Sequence, residues 1–158
     1  MTDARALPTG IRTATYDFLR AAESLTGVDG AGGVLGTSDD PSIFPHGAPA
    51  RQGFPYVVFK RTDRPEARTL TKTRDGLRGV TFDFEIWGDD TLVVEQIAEA
   101  MNVRLEEFLG AHGNVSVRTI ELQGEVDDSV RPEDGSEVTW YVTVLTARLI
   151  YRAVPTGA

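Results

Sequence analysis

The sequence contains no cysteine, which excludes a disulfide framework, a cysteine-ligated zinc site, an iron-sulfur cluster and a thiol nucleophile together. Histidine is nearly as scarce. The two present, His46 and His112, lie among prolines and glycines respectively, without the i, i+4 or short-loop spacing of a metal pair. No Gly-x-Ser-x-Gly turn offers a serine nucleophile. The glycine-rich stretch 30–35 lacks the third glycine of GxGxxG and follows a helical pattern where a phosphate cradle needs a strand. No window approaches 18 uninterrupted apolar residues, and Met1 to Pro8 has no apolar signal core, so neither a bilayer-spanning helix nor signal-directed export is expected. The expected place of folding is the cytoplasm.

What is there is ordinary globular material. The chain has 158 residues, 41% of them hydrophobic and 25% charged, enough for one domain with one core and too few for two. The expected organisation is a single domain over 1–158 with flexible termini and a loop at about 27–42. The net charge of −8 is unevenly spread: residues 1–50 carry −3, residues 51–78 carry +5, and residues 79–158 carry −10. A short basic stretch inside an acidic chain reads either as a solvated loop or as a segment facing an acidic surface, and such a surface is expected to be a protein, including a second copy, rather than free nucleic acid, which most of the molecule repels.

Ile11, Ala14, Phe18, Leu19, Ala22 and Leu25 recur at helical spacing and predict one helix over about 10–25, stopped by Gly27. Residues 28–41 read as a loop rich in turn formers. Ile43-Phe44-Pro45 reads as a short edge strand, and Phe54 to Thr62 as a strand with Pro55 near its start, where a missing N–H is tolerated. After a polar, basic connection at 63–78, Val80, Phe82, Phe84 and Ile86 alternate with Thr81, Asp83, Glu85 and Trp87, the period of a strand with one core face. Gly88-Asp89-Asp90-Thr91 ends it and caps a helix over about 91–109, striped by Val93, Ile97, Met101, Leu105 and Phe108. The next strand, 115–122, changes apolar phase near Arg118-Thr119, as a bulge would cause. A polar turn is expected at 124–136. In the last strand Val138, Trp140, Val142 and Val144 share one face, and Tyr141, Leu145, Leu149 and Tyr151 the other.

Both faces of that last strand are apolar, whereas an antiparallel sheet with helices on one side normally shows polar residues on the other. Association with further copies is the economical cover. The expected class is α+β, one antiparallel sheet of four to five strands with two helices packed on one face. Acid pairs at Asp39-Asp40 and Asp127-Asp128 fall in turns, and Asp89-Asp90 suits a helix N-terminus. Asp83 and Glu85 share one strand face, where cross-strand Lys or Arg is the common partner. No catalytic, metal-binding or cofactor-binding residue is assigned, and no enzyme activity is expected.

This order of elements resembles the tail terminator (tail completion) proteins of long-tailed bacteriophages. The likeness runs over about residues 10–152 and is carried most clearly by Pro55-Tyr56-Val57-Val58 and by the strand ending in Ile86-Trp87-Gly88 before a helix. The resemblance implies a ring, commonly a hexamer, that caps the tail tube, stops its polymerisation and meets the head connector or stopper. It also implies virion localisation in the tail neck after assembly in the bacterial host cytoplasm. The partners implied are the chain itself, the tube protein and the connector. The resemblance further implies DNA passing through the lumen without sequence-specific binding, and no membrane partner is expected. The expected contact residues are Lys60, Arg61, Arg64, Arg68, Lys72, Arg74 and Arg78 on a basic side, with Asp83, Glu85, Trp87, Tyr141, Leu145 and Leu149 on outer strand faces. The alternatives are another neck component, such as a head–tail adaptor, or a small α+β ligand-binding module or enzyme with Asp83, Glu85 or His46 in a pocket.

Overall fold

The computed structural model describes residues 10–27, 32–62, 77–131 and 138–153. The opening apolar stripe forms two helices instead of one, α1 (Ile11–Arg20) and α2 (Glu23–Thr26). The chain leaves helical geometry at Ala22, yet Ile11, Ala14, Leu19, Ala22 and Leu25 are all buried. The Thr26 hydroxyl donates to the carbonyl oxygen of Arg20 at 2.6 Å, supplying a partner near the break, and to that of Ala22 at 3.1 Å, which also accepts from the Leu25 and Thr26 amides. Main-chain hydrogen bonds from Leu35 to Leu25, Ser42 to Leu35 and Val57 to Ser42 then tie α2 to the sheet.

Six strands form one sheet: β1 (Ile43–Phe44), β2 (Tyr56–Thr62), β3 (Leu77–Gly88), β4 (Gly110–His112), β5 (Val115–Val130) and β6 (Trp140–Ala153), in the order β1-β2-β3-β6-β5-β4. The fold is α+β as expected, but the sheet has six strands and is mixed, because β1 runs parallel to β2 while every other pair is antiparallel. A parallel neighbour needs a crossover connection, which residues 45–55 provide. The turn expected at 124–136 is also corrected, since β5 continues to Val130, opposite Trp140. Turn formers such as Gly124, Asp127 and Asp128 are carried into the ladder by the 14-residue β6 beside them, whose main-chain groups outweigh local preference. Register shifts occur at Val117/Thr119, where the phase change predicts one, and again at Leu122/Gly124.

One face of the sheet is the core. Val80, Phe82, Phe84 and Ile86 are fully or almost fully buried, and they stand opposite Leu149, Ala147, Leu145 and Thr143 of β6. Over them lies the third helix, α3 (Thr91–Glu106), through Val94, Ile97, Ala98, Met101 and Leu105. Asp90 caps it, its carboxylate accepting from the Leu92 amide at 2.9 Å. The helix stops at Glu106, short of the expected 109, although Phe108 remains buried. Gly88 lets α3 start close to β3, for a Cβ there would lie 2.6 Å from Val94 Cγ2. Arg104 then fastens α3 to α1. Its Nε and Nη2 donate to the Phe18 carbonyl at 3.1 and 2.9 Å, and its guanidinium lies 3.7 Å from the Phe18 ring centre.

The β3–β6 register corrects the expected outer face. Leu145 and Leu149 are 1% and 0% exposed and lie in the core, with Tyr141 packed against them on the same side. Leu145 and Leu149 are sheltered within their own chain and cannot form a partner contact, whereas Tyr141 is only partly buried. Both residue sets of β6 are apolar, so alternation alone does not say which meets the helices, whereas pairing with Phe84 and Val80 does. Leu149→Ala should therefore destabilise the fold by about 2–5 kcal/mol in denaturant titration, and Ile150→Ala, on the opposite face, by well under half of that. Equal losses would contradict this assignment.

Candidate interaction surface

The pleat sends alternate side chains away from the helices, and pairing brings Tyr56, Val58 and Lys60 of β2 beside Trp87, Glu85 and Asp83 of β3. On the other side of β3 stand Val142, Val144 and Thr146 of β6. Among the described residues no helix packs on this face. Its apolar half is built around aromatic rings. Tyr56 stacks on Phe54 at 5.6 Å and on Trp87 at 6.5 Å between ring centres, Phe54 meets Trp140 edge-on at 5.7 Å, and Phe44 meets Tyr56 at 6.3 Å. Beside them Val58 and Val142 are only 6% and 7% exposed, so the aromatic group already shields part of the surface.

The polar half is cross-linked. Lys60 Nζ lies 3.0 Å from Glu85 Oε2, the Trp87 indole N–H donates to Glu85 Oε1 at 3.3 Å, and the Thr146 hydroxyl donates to Asp83 Oδ1 at 2.7 Å. The cross-strand cation expected for these carboxylates is present for Glu85, whereas Asp83 takes a cross-strand threonine hydroxyl instead. Burial, and secondarily the negative charge of Glu85, raise the Tyr56 phenol above its ordinary 10.0.

Of the expected contact residues, Lys60, Asp83, Glu85 and Trp87 share this face. Arg61 and Arg78 are exposed and pair with Phe82 and Tyr151, which puts them on the other side of the pleat. Arg64, Arg68, Lys72 and Arg74 lie outside the described residues. The sequence reading missed Phe54 and Trp140 as partners of Tyr56 and Trp87. The aromatic character of all four is visible in the sequence, but their meeting depends on the β2–β3–β6 register.

The residues of the enzyme-like alternative do not converge. His46 Nδ1 is 3.3 Å from Arg12 Nη1, away from Asp83 and Glu85. His112 lies between Phe18 and Phe108, its Nε2 3.0 Å from the Phe108 carbonyl. A cleft of about 370 Å³ between α3 and the β5–β6 hairpin is instead lined by Glu95, Glu125, Asp127 and Asp128 with Tyr141 and Thr143. Among the described residues no group of three or more acids and histidines is arranged to hold a metal ion, and no helix is long and apolar enough to cross a membrane.

No protein-family model matches the sequence, and no match is found among curated proteins.

The raised Tyr56 pKa has a defined sign. The native state retains the phenolic proton at a pH where the unfolded chain has lost it, so this contribution to stability is complete below pH 10.0 and is lost as pH rises through the native value. Tyr56→Phe should therefore lose less stability than the wild type between neutral and strongly alkaline pH. In a tyrosinate absorbance titration, Glu85→Gln should move the Tyr56 transition downward. An unmoved transition would show that Glu85 does not act on it.

Proposed function

We propose that the protein is a structural assembly component of the tail-terminator type, a ring of identical copies, hexameric by the resemblance, that caps a phage tail tube and joins it to the head connector. The observation that carries this reading is the sheet face turned away from the helices, where Phe54, Tyr56, Trp87 and Trp140 gather with Val144, each only partly buried, on a side that no helix covers among the described residues. Such a surface is favourable to bury against another protein. The charge distribution supports the same reading. A ring closes through heterologous contacts, which need two different and complementary surfaces on each copy, and this chain carries +5 over 51–78 and −10 over 79–158. Six copies at −8 each would present a strongly acidic ring that DNA can pass without adhering, where that charge faces the lumen.

The purified protein should form annular particles in electron micrographs, alone or on tube ends, and should arrest tube-protein polymerisation when added to growing tubes. Arg64→Glu with Arg68→Glu, in the stretch that the sequence reads as a polar connection, should weaken assembly while leaving circular dichroism unchanged, since charges in polar connections contribute little to folding. A protein that stays monomeric in sedimentation, even with tube protein present, would sink the reading. Binding to the portal side without capping tubes would favour the head–tail adaptor.

A further inference from the structure

The sheet carries opposite charge at its two ends. Arg148 and Arg152 alternate with the buried Ala147, Leu149 and Tyr151, so they stand on the side away from the helices. Arg118 is exposed at the first bulge of β5, between Val117 and Thr119, which pair with Tyr151 and Ile150. Among the described residues Arg118 and Arg148 form no ion pair, although Glu121 is level with Arg148. Glu106 and Glu107, at the end of α3, belong to the helix layer on the other side of the sheet. At the opposite end, residues 84–95, 124–131 and 140–146 hold seven acids and a single cation, Arg131. Glu95, Glu125, Asp127 and Asp128 line the cleft together with Val142, and Val142 also stands beside Trp87. Acids and aromatic rings are thus continuous there. A guanidinium suits such a surface better than an ammonium, because its flat face stacks on a ring while its edge pairs with a carboxylate.

We propose that this aromatic and acidic end receives the arginine end of a second copy, an inference that rests on the ring reading and names its contact. Arg118 and Arg148 of the same copy cannot take that place. Val142, level with Asp128, stands six residues from Arg148 along β6, roughly 20 Å at strand spacing, and the ladder that joins them fixes this separation. Charges in physiological salt act over roughly 8 Å. A neighbour's arginines meet no such limit. The two ends are different surfaces of one chain, so the contact is head-to-tail, the kind that closes a ring.

Both tryptophans of the chain, Trp87 and Trp140, lie in the receiving end, so docking has its own optical readout. In sedimentation velocity over a concentration series, Arg118→Glu with Arg148→Glu should raise the dissociation constant for self-association at least about tenfold, as should Glu125→Lys with Asp128→Lys. An equimolar mixture of the two variants should associate again, because each altered end then meets one of opposite charge. Association of the wild type should move tryptophan emission to the blue and reduce quenching by acrylamide, and neither variant alone should show this at the same concentration. Where circular dichroism finds a variant unfolded, Arg118→Gln with Arg148→Gln, or Glu125→Gln with Asp128→Asn, takes its place and should weaken association by a smaller factor. A wild type that assembles while the folded variants assemble equally well, a charge-swapped mixture that does not recover, or assembly without a change in tryptophan emission would overturn this contact and leave the ring reading standing. A wild type that never associates, with or without tube protein, would remove both.

Discussion

The alignment of β3 with β6 decides what every other surface of this protein is. With Phe84 opposite Leu145 and Val80 opposite Leu149, one side of the sheet becomes a dry layer under α1, α2 and α3, and the other side is settled by default. A shift of one residue would exchange the two sides of β6 entirely. The phenyl cluster of Phe59, Phe82 and Phe84, with ring centres 5.3–6.1 Å apart, makes that exchange costly, since Val144 or Thr146 would then have to fill the volume now occupied by Leu145 and Ala147. The aromatic group on the outer side and the acidic edge beyond it are positioned as a consequence of this inner packing.

Some of this architecture was readable directly. The period-two pattern of Val80, Phe82, Phe84 and Ile86 predicts a strand and its buried side, and the structure agrees. The cap at Asp90, the short strand at Ile43–Phe44 and the phase slip near Arg118 are local events with local chemical causes. What was not readable depends on partners distant in sequence. Ala21 and Ala22 are excellent helix formers, so nothing nearby marks the break between α1 and α2, which arises because Leu25 turns into the core and Thr26 reaches back to Arg20. β6 is apolar on both sides, so its orientation follows from its neighbour. The segment from Gly124 to Ser129 has the composition of a turn and becomes strand because β6 is long enough to pair with it. A hairpin with one long arm calls for another of matching length, and that was the available clue.

The division of polar chemistry between the two sides of the sheet bears on how copies could meet. On the outer face Glu85 takes Lys60 and the Trp87 indole, and Asp83 takes the Thr146 hydroxyl, so these carboxylates are already engaged within the chain. The acids of the β5 edge have no such cationic partners among the described residues. An association through the outer face would thus be governed mainly by aromatic and aliphatic burial, and one through the edge mainly by charge and main-chain pairing, with correspondingly greater sensitivity to salt.

The two bulges in β5 have a further consequence. Each extra residue breaks the even spacing of donors and acceptors and increases the local twist, so a flat strand of arbitrary sequence cannot zip along the whole border. Endless cross-β stacking into fibrils, the ordinary hazard of a long bare rim, is disfavoured. Only a companion whose own irregularities fall in step can follow it from end to end.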